Sequence, residues 1–228
     1  MLEPVVVGAL LLLGAWVALD GTSFAQVMVS RPLVSGTLAG WILGDAGLGL
    51  LVGGLLEAAH LGAVPAGGAR IAEPGPAAIP AVVAAISLGG AVGVAAGVAQ
   101  GALWSVLGGA SMVWQRRLNG VVLGPLEELG GSERSLSRRH LACVALDALR
   151  GTLLVATGIV VAVMLPASLE QSWGFDGRST PGILALPGAF AGGALLRRWS
   201  TVFRGTRRGA ALFAGGLFAG WLLTSAMG

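Results

Sequence analysis

Arg31, Asp45, Glu57, His60, Arg70 and Glu73 lie within residues 31–76, a stretch otherwise apolar enough for a membrane. On insertion scales a charged side chain at a bilayer centre costs about 2.5–3.5 kcal/mol, so such groups must face protein or a water-filled cavity. The stretch is also interrupted by glycine and proline. Broken apolar segments that carry polar groups point to a transport site near the membrane midplane. Glu57 and Glu73 are its candidate ligand-binding carboxylates, since charge-assisted hydrogen bonds to a carboxylate are strong. An alternative stays open, in which these acids only neutralise Arg31 or Arg70. Asp45 follows Gly44 and reads as a turn-capping carboxylate. His60 stands three residues after Glu57 and shares a helical face with it, for pore-facing hydrogen bonding or for packing.

Other chemistries find no support. One histidine and one glutamate are too few ligands for a metal, and no cofactor is expected. Cys143 is the single cysteine, which excludes an intramolecular disulfide and a cysteine-based metal cluster. The PAGGA run lacks the Gly-Lys-Ser/Thr of a phosphate loop and the spacing of a dinucleotide fold. No nucleophile–base set is evident. Asp147 and Arg150 lie three apart and are expected to neutralise each other on one helix.

The elements that position these groups must be membrane helices. The chain has 228 residues, of which 55% are hydrophobic and 11% charged, against about 25% charged in an ordinary soluble domain. Mean hydropathy is +0.83. The fold class is therefore an all-α polytopic membrane protein, a single domain over 1–228, with about 7–9 membrane segments including broken or re-entrant hairpins. All fourteen basic residues are arginine. They gather between apolar runs, the positive-inside pattern, rather than forming a nucleic-acid surface. The loop 115–141 and the region 197–208 are thus expected in the cytoplasm, and 166–181 outside.

Local signals give the boundaries. Residues 4–19 read as a first helix with Pro4 in its opening turn, and 20–23 as a turn. A segment over 24–43 is interrupted at Ser30-Arg31-Pro32, which puts Arg31 at a break or helix start. Residues 48–63 are too short for a span. Pro65–Pro76 holds three prolines and three glycines and reads as non-helical. Segments follow at 77–88, 91–114, 142–165 (ended by Pro166), 182–196 and 210–227. Trp114 and Trp199 adjoin arginines as interface anchors. Trp41 reads as a packing residue, with stacking on a ligand ring the alternative.

RPLVSGTLAGWILGD, then VGGLLE, then LG-x-x-P-x-GGA followed by an acid resembles the membrane IIC subunit of the mannose/sorbose family of sugar phosphotransferase systems, over about residues 20–76. That family often has Pro-Asp where this chain has Ala72-Glu73. The resemblance implies a permease subunit in the bacterial inner membrane that conducts a hexose-type sugar with a IID membrane subunit. Separate cytoplasmic IIA and IIB subunits would carry the phosphoryl group, so this chain is not expected to be an enzyme. It also implies sugar contact by Glu57 and Glu73, with Asp20 and Gln26 in a stretch similar to one the family places near the site; His60 is a candidate from its spacing to Glu57 alone. The alternative is a scaffold or regulatory homologue that no longer transports.

Overall fold

The computed structural model describes residues 2–61, 72–125 and 133–169, with side chains as far as Met164. Six helices occupy them: α1 Pro4–Thr22, α2 Pro32–Ile42, α3 Ala46–His60, α4 Pro74–Leu88, α5 Gly90–Leu123 and α6 Glu133–Leu169. The protein is all-helical over these residues. The segments expected at 182–196 and 210–227, the arginine region 197–208, the outer loop 166–181 beyond Leu169, Arg70 and Trp199 lie outside them.

Three helices, α1, α5 and α6, are long and apolar enough to cross a membrane. α5 has 34 residues, about 50 Å at 1.5 Å per residue, so it outruns a hydrocarbon core of about 30 Å. Its distal end carries Arg116 and Arg117. Much of the polar stretch 115–141, part of which the sequence allows as an interfacial amphipathic helix, is helical: α5 continues to Leu123 and α6 begins at Glu133, so its arginines sit on extensions of two long helices. α6 also continues past Pro166 to Leu169. A proline in a helix removes one hydrogen bond without obliging the helix to end.

α2, α3 and α4, of 11, 15 and 15 residues, are too short to span. Arg31 is the N-cap residue of α2 and Pro32 opens its first turn. The residues before it, the first part of the segment expected over 24–43 with its break at Ser30-Arg31-Pro32, form a loop, and the turn expected at 20–23 is displaced because α1 runs on to Thr22. Asp20 organises that loop by accepting from the backbone N–H groups of Val27 at 2.6 Å and Ser30 at 2.8 Å. Ala25, Gln26 and Met28 take positive φ there, an unfavourable geometry for residues with a Cβ.

α2 and α3 form a tight hairpin. Asp45 caps α3, accepting from Leu48 N–H at 2.8 Å, and a Cβ at Gly49 would stand 2.4 Å from the Gly36 carbonyl oxygen. Such backbone-to-backbone approach is how small residues pack helices where lipid offers no hydrophobic drive. α4 is the central helix, buried on all sides from Gly75 to Ala85, as an all-round apolar helix should be. The non-helical reading of 65–76 fails at its end: Pro74 and Pro76 sit in the first turn of α4, where a missing N–H costs no hydrogen bond. The α4–α5 break falls at Gly89 (φ +70°) and Gly90 (φ +57°), a corner that glycine takes without strain.

Candidate functional site

The acids at the helix breaks are both held by arginine. Glu57, on the last turn of α3, reaches the start of α2. The Arg31 guanidinium donates to its Oε1, from Nε at 2.7 Å and also from Nη2, and Leu33 N–H donates to Oε2 at 3.1 Å. Glu57 thus satisfies one of the unpaired N–H groups that a helix start exposes. The Arg31 side chain is half exposed and that of Glu57 is 16% exposed.

Glu73 precedes α4 and is buried. Its N–H donates to the Ser105 carbonyl on α5 at 2.8 Å. Its carboxylate faces Arg150 on α6, which donates from Nη1 to Oε2 at 2.5 Å and from Nη2 to Oε1 at 2.8 Å. This is the bidentate fork that guanidinium and carboxylate planes favour. Arg150 also donates to Asp147 Oδ1 from Nε at 3.2 Å and Nη2 at 3.0 Å, to Gln115 Oε1 at 2.5 Å and to Ser111 Oγ at 3.1 Å. All five of its N–H donors are occupied. The other Asp147 oxygen accepts from the hydroxyls of Thr22 and, at 2.7 Å, Ser23. One buried cluster therefore ties the end of α1, the head of α4, α5 and α6 together.

His60 joins this region through Ser105. Its Nδ1–H donates to the Leu56 carbonyl at 2.8 Å, and Nε2 lies 3.0 Å from Ser105 Oγ. Asp20 is buried with both carboxylate oxygens engaged by the 23–31 loop. Gln26 is exposed on that loop, its amide donating to the Thr22 carbonyl at 3.2 Å. The loop presses on α4: Ser30 O is so close to Gly75 that a Cβ there would stand 2.1 Å from it. Among the described residues, no hydrogen bond or ion pair joins any two of the five singled out from sequence: Glu57 is held by Arg31, Glu73 by Arg150, Asp20 and Gln26 by the 23–31 loop and the end of α1, and His60 by Leu56 and Ser105. Trp41 is 73% exposed on α2, so it does not pack into the core of this chain. Trp114 is exposed, with the Arg117 guanidinium 5.4 Å from its ring centre.

Sequence reasoning missed Arg150, Gln115 and Ser105 as parts of this region. Arg150 and Asp147 were visible as a pair, and that pairing exists, but it is half of the arrangement. The available signal was Arg150 itself, whose five donors exceed what one aspartate can accept.

A helical membrane protein with short, broken helices and ion pairs at their breaks has the make-up of a membrane transport subunit. Residues 5–168 match the family model described as the PTS system sorbose-specific IIC component, and the chain belongs to that family. Solved structures share the fold, among them the following two. One, described as the structure of a membrane protein, has a TM-score of 0.71 at 16% identity and covers 100% of this chain and 92% of its own. The other is a chain of the cryo-EM structure of the mannose transporter ManYZ in complex with microcin E492 (MceA), with a TM-score of 0.60 at 19% identity, covering 99% of this chain and 84% of its own. No curated protein matches the sequence.

Proposed function

We propose that this chain, as one IIC domain, binds a hexose-type sugar and conducts it across the bacterial inner membrane with a IID membrane subunit. Cytoplasmic IIA and IIB subunits relay phosphate from phosphoenolpyruvate and phosphorylate the sugar as it arrives, which makes uptake irreversible. The chain itself needs no nucleophile.

The observation that carries this reading, beside the family, is that Glu57 and Glu73 each stand at a helix break in contact with an arginine. A carboxylate beside a guanidinium offers a sugar hydroxyl both an acceptor and a donor. The Arg31–Glu57 pair is open enough for a solute to reach directly. Glu73–Arg150 is buried and becomes available only when α4 and α6 part. Asp20 and Gln26 shape the loop beside the first pair, and His60 links α3 to α5 next to the second. We assign sugar contact to Glu57 and Glu73, with the other three lining or positioning the site.

One observation favours the second reading, a transport-inactive scaffold: the chain's own donors already engage all four carboxylate oxygens of the two acids. Uptake of labelled mannose, fructose and sorbose by cells with and without the gene separates the two. Gene-dependent uptake with accumulation of sugar phosphate supports transport; identical uptake by both strains supports the scaffold.

A further inference from the structure

Asp147 is 2% exposed where the end of α1 meets α6, and the sugar contacts assigned above give it no task. Its Oδ1 accepts from Arg150 Nε at 3.2 Å and Nη2 at 3.0 Å, and its Oδ2 from the hydroxyls of Thr22 and, at 2.7 Å, Ser23. Glu73 alone would balance the Arg150 charge. With Asp147 beside it the buried group holds one negative charge in excess, and a buried charge without its own counter-ion is unfavourable. Charge balance therefore does not account for the second acid.

We propose that Asp147 is a positioning residue for the transport step, the acid that keeps Arg150 paired while Glu73 leaves it to meet the sugar, a role that rests on the transport reading above. Asp147 and Arg150 stand three apart on α6 and move as one body. α1 is packed against them so closely that a Cβ at Gly151 would stand 2.3 Å from the Ala18 Cβ. α5 is bound to α6 as well, by the Gln100 amide donating to the Gly158 carbonyl at 2.7 Å and the Trp104 indole to the Leu154 carbonyl at 3.0 Å. Glu73 stands at the head of α4, which is tied instead to α2: Ser35 Oγ donates to the Gly75 carbonyl at 2.8 Å. Separation of the α4 head from α6 gives up the Glu73 N–H bond to Ser105, removes the Glu73 carboxylate and leaves Arg150 with Asp147.

The hydrogen bonds that remain are enough for the guanidinium. Nε keeps Gln115 and Asp147, Nη1 keeps Ser111 and Nη2 keeps Asp147, so each nitrogen retains an acceptor. Asp147 and Gln115 also line a cavity of about 490 Å³ between the end of α1, the distal half of α5 and the early turns of α6. It is polar and roomy enough for water to reach the N–H groups that Glu73 frees. Glu73, moving away, escapes the repulsion of the Asp147 carboxylate, and its oxygens become free for hydroxyl donors. Without Asp147 the same movement would strand Arg150 as a lone buried cation, the most unfavourable way to break a buried pair.

Ala77 on α4 is fully buried in a cluster with Trp104 of α5 and Leu154 of α6, so a cysteine there reports the separation of these helices. The experiment times alkylation of Ala77→Cys by N-ethylmaleimide in a Cys143→Ser background, in membrane vesicles containing the full chain and no sugar. Uptake of mannose, fructose and sorbose is measured on cells of the same strains. Asp147→Asn keeps the shape and an acceptor but removes the charge, and should slow alkylation about tenfold or more. Where a hexose is taken up, its half-saturating concentration should rise by a similar factor, since fewer molecules are competent to bind. Asp147→Glu, which keeps the second acid, should label like the parent, and Glu73→Gln should label faster. The melting temperature of Asp147→Asn should stay near that of the parent, because Arg150 and Glu73 remain matched. An Asp147 that only held the fold together would give the reverse, a lower melting temperature and faster alkylation. Unchanged or faster alkylation of Asp147→Asn overturns the proposal; if that variant does not reach the membrane, unchanged alkylation of Glu73→Gln overturns it. Slower alkylation of Asp147→Asn in strains that take up none of the three sugars keeps Asp147 as the acid that frees Glu73 and removes the transport reading. Uptake with unchanged alkylation removes the Asp147 role alone, and unchanged alkylation without uptake removes both.

Discussion

Arg150 on α6 grips both carboxylate oxygens of Glu73 at the head of α4, across 77 positions of sequence. The same guanidinium holds Asp147, so two buried carboxylates share one buried cation. The cluster made by these three side chains carries a net charge of minus one, which makes its members unequal.

Neutralising Arg150 should therefore be far worse than neutralising Glu73. Arg150→Gln leaves two buried carboxylates with no cation, and breaking a buried pair typically costs about 3–5 kcal/mol. Glu73→Gln leaves Arg150 and Asp147 matched one to one and loses a charged hydrogen bond, about 1.5–3 kcal/mol. Thermal unfolding of the detergent-solubilised protein, read by tryptophan fluorescence, should place Arg150→Gln well below Glu73→Gln. Equal melting temperatures would contradict the two-to-one arrangement.

The α2–α3 hairpin should reject side chains at its contact line. A Cβ at Gly49 meets the Gly36 carbonyl at 2.4 Å, whereas one at Gly54 meets only the Leu33 side chain at 3.6 Å. Gly49→Ala should cost about 1–3 kcal/mol, the usual penalty of overpacking. Gly54→Ala should stay near wild type. Comparison of their melting temperatures and membrane yields tests this, and a tolerant Gly49 would mean that the hairpin is looser than described.

Local chemistry made the breaks readable. Pro32 after Arg31, Asp45 after Gly44 and the Gly89-Gly90 pair each act on their own backbone, so residue type fixes the outcome. The arginine-rich flanks read less clearly, because the charges that keep a segment out of lipid do not keep it from being helical. Glu73–Arg150 was illegible for a different reason. Asp147 at i−3 uses only part of the Arg150 donor set, and only the packing of α4 against α6 shows that Glu73 is the second acid. The family resemblance read from residues 20–76 extends in the family match to 5–168, which takes in that missing partner.

Packing also orients the N-terminal half, where loop charge says little. Thr22 and Ser23 at the end of α1 meet Asp147 on α6 and line the same cavity as the distal end of α5. The other end of α1, at Glu3, therefore points away from the arginine-rich flanks. In a Cys143→Ser background, a cysteine at Ser137 should be labelled only from the cytoplasm and one at Glu3 only from outside. Labelling of both from one side would break the link between α1 and α6.

The central claim is that Glu57 and Glu73 hold the sugar, and uptake by matched variants tests it most directly. Labelled hexose uptake is measured at equal membrane expression for wild type, Glu57→Gln, Glu73→Gln and the double variant Arg31→Gln/Glu57→Gln. Loss of one charged hydrogen bond to a ligand, about 1.5–3 kcal/mol, weakens affinity by roughly 10- to 150-fold. Each single glutamine variant should lose uptake on that scale, and removing the Arg31 charge should not restore it. Normal uptake by both single variants, or recovery in the double variant, would contradict the account and leave these acids as partners of arginine alone.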